Sequence, residues 1–576
     1  QSNSKGFSWV HVRYGGNELR TMRYLALIFI CSLPYLGFGQ TSPKKYWFQF
    51  TDKDNTPYSL SQPLEFLSQR ALDRRERQGI ALDEKDLPVD PAYIQAVLDE
   101  GAGYLVHSKW FNSVSVVVPN DDVRDSILSL PFVVSADPVG KRPDPSITEN
   151  KFAPWAEAKS ITLDEFSETD YGSTFNQINM LGGVSLHNQG FRGEGMLIAV
   201  LDAGFPNVDQ FPVFDSLITD GRLLGGWDFV DQDNSIFEDN SHGQSVLSTM
   251  AGYIPGSFIG TAPKASYLLL RTEDGNTEFP IEMDYWVAGA EYADSAGADV
   301  INSSLGYTTF DGSMFDYEYA DMDGNTLRGS IGADIAASRG ILVVNSAGNS
   351  GDNPWQYIGA PADGDSVLAV GAVRADGERV SFSSIGPSAD GDIKPNVCAQ
   401  GFQATIINSG GSIAAGNGTS FAGPIMAGMA ACLFQAHRDS LTNMDVFHAI
   451  ERSAHKYNNP DHLYGYGIPN FAKAHLLLQG LNPASEDFSE LLLPYPNPFS
   501  DSFTGTFYSA ARQEILVRLV NNLGQEIKRI EVTMQPLSGF TFQFSDLQDL
   551  NEGIYTLHVD ADSGSYFKKL VKVRQD

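Results

Sequence analysis

Three styles of hydrophobic patterning follow one another along the chain. From residue 45 to about 139, short alternating or β-branched runs interleave with charged amphipathic stretches. YWFQFT (46–51) and VSVVV (114–118) read as strands. The segment opening at Pro63 (PLEFLSQRALDRRERQG) and AYIQAVLDEGA after Pro91 read as helices, each with proline where a first turn tolerates it. A helix at 121–130 and a short strand at 132–135 complete a compact α+β domain. From about 175 to 479 the strands change character. MLIAVL (196–201), SYLLLR (266–271), DVINS (299–303), ILVVN (341–345) and VLAVGAV (367–373) are near-continuous apolar runs, as parallel strands buried on both faces require. They alternate with helical stretches at 281–296 and 327–339, which predicts a doubly wound α/β sheet with its sites at the carboxyl ends of the strands. From about 491 the pattern becomes short strands (515–520, 525–532, 540–544, 554–559, 566–573) separated by turns such as Asn522-Leu523-Gly524 and Asn551-Glu552-Gly553, the signature of a small β-sandwich.

The apolar run at 24–38, behind Met22 and Arg23, is too short and interrupted to span a bilayer and reads as the core of a secretory signal peptide over 22–39. Residues 1–21 lie upstream of that start and are set aside. Residues 141–168, polar and carrying Pro143 and Pro145, read as an exposed linker. The net charge of −32 argues against nucleic acid and anionic lipid as partners. Of three cysteines, Cys31 falls in the signal peptide. Cys398 and Cys432 read as buried thiols, with a disulfide between them left open because sequence gives no geometry. No zinc-ligand spacing is present.

Three segments of the α/β region carry candidate chemistry. Asp202 ends the apolar run IAVLD. His242 opens a small-residue stretch (HGQSVLSTMAG). Ser420 lies in NGTSFAGP, just before the apolar run IMAGMAACL, with Pro424 expected in that helix's first turn. Each has an ordinary structural explanation alone: a turn cap, a core histidine, a helix N-cap. Together they supply a weak nucleophile, a base for its proton and a carboxylate to orient the base. The serine is not in the G-x-S-x-G elbow of lipases and esterases, because Ala422 stands at the second glycine.

On AVLD (199–202), SHG (241–243) and GTS (418–420), residues 175–480 resemble the subtilisin-like serine peptidases. The resemblance implies Asp202 as orienting acid, His242 as general base and Ser420 as nucleophile of a secreted endopeptidase acting through an acyl-enzyme. It also implies an oxyanion-hole role for Asn349 in VVNSAGN (343–349), and a substrate-pairing edge formed by Ser304, Leu305 and Gly306 with Ser346, Ala347 and Gly348. SFSSIGP (381–387) and KPN (394–396) are further shared landmarks. Gln244 replaces the family's usual threonine and FAG (421–423) its Met-Ala-Ser, from which altered cleft packing is expected. Residues 45–139 resemble the family's propeptide, an intramolecular chaperone and inhibitor of ferredoxin-like α+β fold. The tail resembles the type A sorting domain of type IX secretion through PNPF (496–499), GIY (553–555) and KLVKV (569–573). The expected division is 22–39 signal peptide, 40–140 propeptide, 141–168 linker with the processing site, 169–482 peptidase, and 488–576 sorting domain. The expected partners are polypeptide substrates, the chain's own propeptide and the secretion machinery. No nucleic acid and no membrane span of the mature form are expected, the mature protein being a monomer outside the cell or on its surface. No cofactor is needed for the chemistry. The family often carries structural calcium, for which Asp321, Asp323 and Asn325 have alternating oxygen-ligand spacing, although the closing glutamate of an EF-hand is absent. The competing readings are a catalytically inactive binding or adhesion protein of the same fold, and an esterase of another α/β fold, which the chain order of the three residues disfavours.

Overall fold

The computed structural model describes residues 44–141, 151–152, 171–480, 489–491, 494, 496–509, 511–534 and 538–574; the expected signal peptide and most of the linker lie outside these. Seven parallel strands form the central sheet, in the spatial order Val397–Gln400, Val367–Val373, Leu342–Ser346, Val300–Ser303, Leu197–Asp202, Ser266–Arg271, Leu223–Asp228. After Leu197–Asp202 the chain makes the edge strand Leu223–Asp228, returns to fill the gap with Ser266–Arg271, and then crosses to the other side of Leu197–Asp202, where it runs outward from Val300–Ser303 to Val397–Gln400. The switch point therefore falls between Leu197–Asp202 and Val300–Ser303. Alternate residues of a strand serve the two faces. Ile198 and Val200 join a core roofed by the helices His242–Ala251, Thr419–His437 and Asn443–Ser453, while Leu197, Ala199 and Leu201 join one under Ile281–Ala296 and Arg328–Ser338. The five expected strands and both helices are present. The edge strands Leu223–Asp228 and Val397–Gln400 were not anticipated. Thr419–His437 is apolar and long enough to span a membrane, but it is buried as the core helix of this domain.

Residues 44–141 form a four-stranded antiparallel sheet in the order Gly103–Ser108, Ser113–Val118, Lys44–Phe50, Val133–Lys141. Helices Pro91–Asp99 and Asp121–Leu128 connect its strands, which is the ferredoxin-like arrangement. The expected helix from Pro63 is instead a single 3-10 turn, Pro63–Glu65, followed by a separate helix Gln69–Gln78. Ser68 divides them because its side chain accepts from Ala71 N and starts a new helix, which Gly79 ends in the left-handed conformation. The strand Val133–Lys141 is longer than its sequence pattern indicated, and Gly103–Ser108 was missed.

One face of this sheet has its own core around Phe48, Val97, Val116 and Ile127. The other contributes Trp47, Val106, Trp110 and Val139 to the core under helix Ile281–Ala296. That helix turns three acids toward it. Asp284 accepts from Ser115 Oγ (2.7 Å), and Glu291 accepts from Ser108 Oγ (2.5 Å) and from the amides of Lys109 and Trp110 (2.9 and 3.0 Å). Asp294 pairs with Arg74 (2.5 Å), Arg75 (2.9 Å) and Lys109 (3.2 Å). Burial alone would raise the Asp294 carboxyl, but the three cations pull it down to about 2.

The C-terminal region is a sandwich of a three-stranded sheet (Ser489–Leu491, Phe503–Ser509, Ser538–Phe544) and a four-stranded one in the order Glu526–Met534, Gln513–Asn521, Gly553–Ala561, Gly564–Lys572. The five expected strands are there, with two more. The Pro-Asn-Pro run delivers Phe499 into the core, and Phe499 N donates to Val571 O at 2.9 Å.

Candidate active site

Asp202 is the last residue of the central strand Leu197–Asp202, and His242 is the first residue of the helix His242–Ala251. The helix start is fixed by Asn240, whose side-chain oxygen accepts from His242 N at 3.0 Å. Gly243 lets the helix close onto the strand, since a Cβ there would lie 2.5 Å from Gly204 O and 2.8 Å from Asp202 Cβ. His242 Nδ1 consequently lies 2.8 Å from Asp202 Oδ1. A carboxylate only accepts, so Nδ1 carries the proton and Nε2 is left as the basic nitrogen. Asp202 Oδ1 also accepts from Ala203 N at 2.8 Å. Asp202 is wholly buried, and His242 exposes only 9% of its side chain.

Ser420 is the second residue of the helix Thr419–His437, where the helix dipole favours negative charge. Pro424 lies in the second turn of this helix rather than the first, because the helix begins five residues ahead of it, at Thr419. Proline has no N–H to give to the carbonyl four residues earlier, which is that of Ser420. Ser304 Oγ donates to that carbonyl instead, at 2.9 Å. Asn349 is tied to the same turn, its Oδ1 accepting from Thr419 N (2.8 Å) and Thr419 Oγ1 (3.0 Å). This fixes the amide flip and leaves Nδ2 as the outward donor. Among the described residues no hydrogen bond joins Ser420 Oγ to His242 Nε2.

The expected substrate edge follows two neighbouring strands. Ser304, Leu305 and Gly306 succeed Val300–Ser303, and Ser346 ends Leu342–Ser346 ahead of Ala347 and Gly348. Ser304, Leu305, Ser346 and Ala347 are buried, and Gly306 is exposed. Leu305 O is held by Asn345 Nδ2 (3.0 Å), and Gly348 N donates to Thr419 Oγ1 (3.2 Å). Gln244 is fully buried and donates to Ile407 O at 3.1 Å, so it packs the hairpin behind the helix instead of lining the site. Beside Ser241 opens a cavity of about 500 Å³ lined by Asn207, Asp239, Arg271, Gly275 and Asn276.

Of the calcium candidates, Asp321 and Asp323 each make local hydrogen bonds. Asp321 accepts from Glu318 N, and Asp323 accepts from Asn325 N, each closing its own turn. Among the described residues, three other carboxylate groups are close enough to share an ion. Arg271 already compensates Asp228, Asp231 and Asp239 (2.6, 2.6 and 3.2 Å), and Asp365, Asp390 and Asp392 are exposed. The third group, Glu273, Glu278 and Glu282, escaped sequence reasoning. Lys151 Nζ occupies it, at 2.7, 2.8 and 2.6 Å from the three carboxylates. Burial pushes the Glu278 carboxyl up to about 7 despite the opposing pull of Lys151. Next to the lysine, Phe152 stacks on His242 with ring centroids 4.5 Å apart. Glu273 and Glu278 lie in the loop between the strand Ser266–Arg271 and the helix Ile281–Ala296, and Glu282 lies in that helix's first turn, so no helical or strand spacing marks them as a group. Cys398 and Cys432 are buried free thiols; burial drives the Cys398 thiol up to about 12.

A doubly wound sheet with this cluster at its carboxyl edge is the frame of a hydrolase that works through a serine. Comparison with known proteins narrows the class. Residues 193–467 match the subtilase family, residues 45–151 a peptidase S8 propeptide domain of Bacteroidota, and residues 494–573 a secretion system C-terminal sorting domain. The chain is 31% identical over 334 residues to subtilisin NAT of Bacillus subtilis subsp. natto, covering 58% of this chain and 76% of that protein. It is 32% identical over 300 residues to a subtilisin of Bacillus pumilus, covering 52% and 97%. With a thermostable alkaline protease of Halalkalibacterium halodurans the identity is 29% over 298 residues, covering 52% and 72%. The chain belongs to the subtilase family of serine peptidases, with a propeptide at one end and an export-directing domain at the other. It is a serine endopeptidase, and its sorting domain directs it outside the cell or to the cell surface.

Proposed function

We propose that the protein hydrolyses peptide bonds through an acyl-enzyme on Ser420. The observation that carries this reading is the 2.8 Å bond between His242 Nδ1 and Asp202 Oδ1 beside the helix start that bears Ser420. Ser420 Oγ attacks the substrate carbonyl as His242 Nε2 takes its proton. The tetrahedral oxyanion is met by Asn349 Nδ2 and Ser420 N–H at the positive end of the helix. His242 then returns the proton to the departing amine, and water repeats the sequence to release the acyl group. Asp202 holds the tautomer and stabilises the imidazolium. The peptide chain pairs along 304–306 and 346–348 as an added strand. The propeptide lies against the catalytic domain until the linker is cut.

The test is labelling of the exported, self-processed protein with a fluorophosphonate probe, beside Ser420→Ala, with the adduct located by mass. A single adduct on Ser420, absent from the variant, is expected. No adduct on folded, processed protein would overturn the peptidase mechanism in favour of an inactive binding protein. Ser420→Ala is expected to lower kcat by about 10⁶ and Asn349→Ala by about 10²–10³, read as initial rates on a quenched peptide.

A further inference from the structure

Lys151 is not held as a surface lysine would be. Its backbone N donates to Gly275 O at 3.1 Å, in the segment following the strand Ser266–Arg271, so the short piece of chain here is pinned along the cleft. Its ammonium enters a pocket whose walls are built independently of it. Glu282 is 1% exposed, and its two oxygens accept from Asp274 N (2.9 Å) and Phe279 N (3.1 Å). Glu273 is 2% exposed and accepts from Tyr307 Oη. Phe152 meanwhile covers the face of His242.

This dipeptide lies at the end of the propeptide match, which closes at Lys151, and it lies beyond that domain's last strand, Val133–Lys141. When the linker leaves the cleft, three carboxylates gathered within reach of a single cation lose the ammonium of Lys151. Like charges held so close are unfavourable without a cation between them. The pocket therefore keeps its demand for a cation in the processed enzyme, directly beside the catalytic histidine. Its depth matches a lysine side chain entering from a backbone hydrogen-bonded to Gly275.

We infer that Glu273, Glu278 and Glu282 form a specificity pocket that selects a lysine side chain in polypeptide substrates, with an aromatic residue following it against His242, and that Lys151-Phe152 is the chain's own copy of that sequence. This rests on the peptidase reading and adds to it which peptides are taken.

The test uses the full chain carrying Lys151→Met, which removes the ammonium from the pocket. Fluorophosphonate labelling of Ser420 is timed in the presence of the acetylated hexapeptide Glu-Asn-Lys-Phe-Ala-Pro or of the same peptide with norleucine for lysine. Half-protection by the lysine peptide is expected at a concentration lower by a factor on the order of ten or more. Adding Glu278→Gln to the same chain is expected to narrow that gap. The same competition on the wild-type chain, after its linker has been cut, needs no substitution at Lys151. Equal protection by both peptides, or protection by calcium chloride that replaces the lysine preference, would overturn the pocket while leaving the peptidase intact. Absence of any Ser420 adduct would overturn the peptidase reading and this inference with it.

Discussion

The two accessory regions are joined to the rest of the molecule in opposite ways. The N-terminal domain is completed by the peptidase: one face of its sheet shares a core with helix Ile281–Ala296, and Arg74, Arg75 and Lys109 find their carboxylate partner in Asp294 of that helix. The C-terminal sandwich draws its core from its own residues, around Phe503, Phe507, Val517 and Leu557. Its ion pairs, such as Arg518 with Asp560 and Lys568 with Glu490, stay inside it, and none among the described residues reaches the peptidase. The difference follows what each must do. An inhibitor has to fit its enzyme and then leave, and an interface with charges at its centre exposes groups that water solvates readily when the two part. A sorting domain is read by other machinery, so it gains from folding without help from its cargo.

The contrast can be broken most forcefully at Asp294. Asp294→Ala strands Arg74 and Lys109 in a buried site, leaves Arg75 with Asp86 as its carboxylate (2.7 Å), and is expected to cost about 3–5 kcal/mol. The loss should appear in calorimetry of the full chain as an earlier unfolding of the N-terminal domain and peptidase, with the sandwich transition unmoved. Phe503→Ala is the reciprocal experiment. Phe503 is buried between Phe499 and Phe544, so its truncation should cost about 3–5 kcal/mol in the sandwich alone, leaving peptide hydrolysis at its wild-type rate. A melt shared by both regions after either change would contradict their independence.

Acid sharpens the same comparison at smaller amplitude. The Asp294 carboxyl lies at about 2 in the folded protein against 3.8 ordinarily, a depressed value. Its contribution is thus present above about pH 4 and is lost as pH falls toward 2, an effect of about 2 kcal/mol. Stability of the N-terminal attachment should fall across that window, and Asp294→Asn should flatten the fall. His187 adds an acid-sensitive element within the peptidase itself. Burial lowers its imidazole to about 4, with Nδ1 3.0 Å from Tyr171 Oη and Nε2 2.9 Å from Thr261 O. The smallest effect is expected at Lys528, whose exposed pairing with Asp546 at 3.7 Å lies in the sandwich. Lys528→Ala should move the melting of that region by less than about 0.5 kcal/mol.

Much of the fold was legible because parallel strands buried on both faces leave uninterrupted apolar runs, as in VLAVGAV, whose expected limits coincide with the strand Val367–Val373. The edge strand Leu223–Asp228 escaped because it is half exposed and carries Gly225 and Gly226. The latter has no room for a side chain beside Leu269 O. The helix expected from Pro63 failed at Ser68, where a local cap outweighed a continuous amphipathic pattern. Around the candidate site, Asp202, His242 and Ser420 stood out because each stands at a strand end or beside a helix start, whereas Asn349 was named only through the family resemblance of VVNSAGN. The face of helix Ile281–Ala296 could not be read the same way. Asp284, Glu291 and Asp294 repeat with the helix period, which ordinarily marks a solvated side, and only the arginines of a distant segment make it an interface. Lys151 was hidden for the same reason: nothing near it in sequence announces three glutamates more than a hundred residues away.

Pro424 has one further consequence. Because its ring leaves Ser420 O without the helical donor four residues on, the first turn around Ser420 is closed by the hydroxyl of Ser304, which follows the strand Val300–Ser303. The turn that bears Ser420 is therefore tied to the central sheet as well as to the long helix that begins with it.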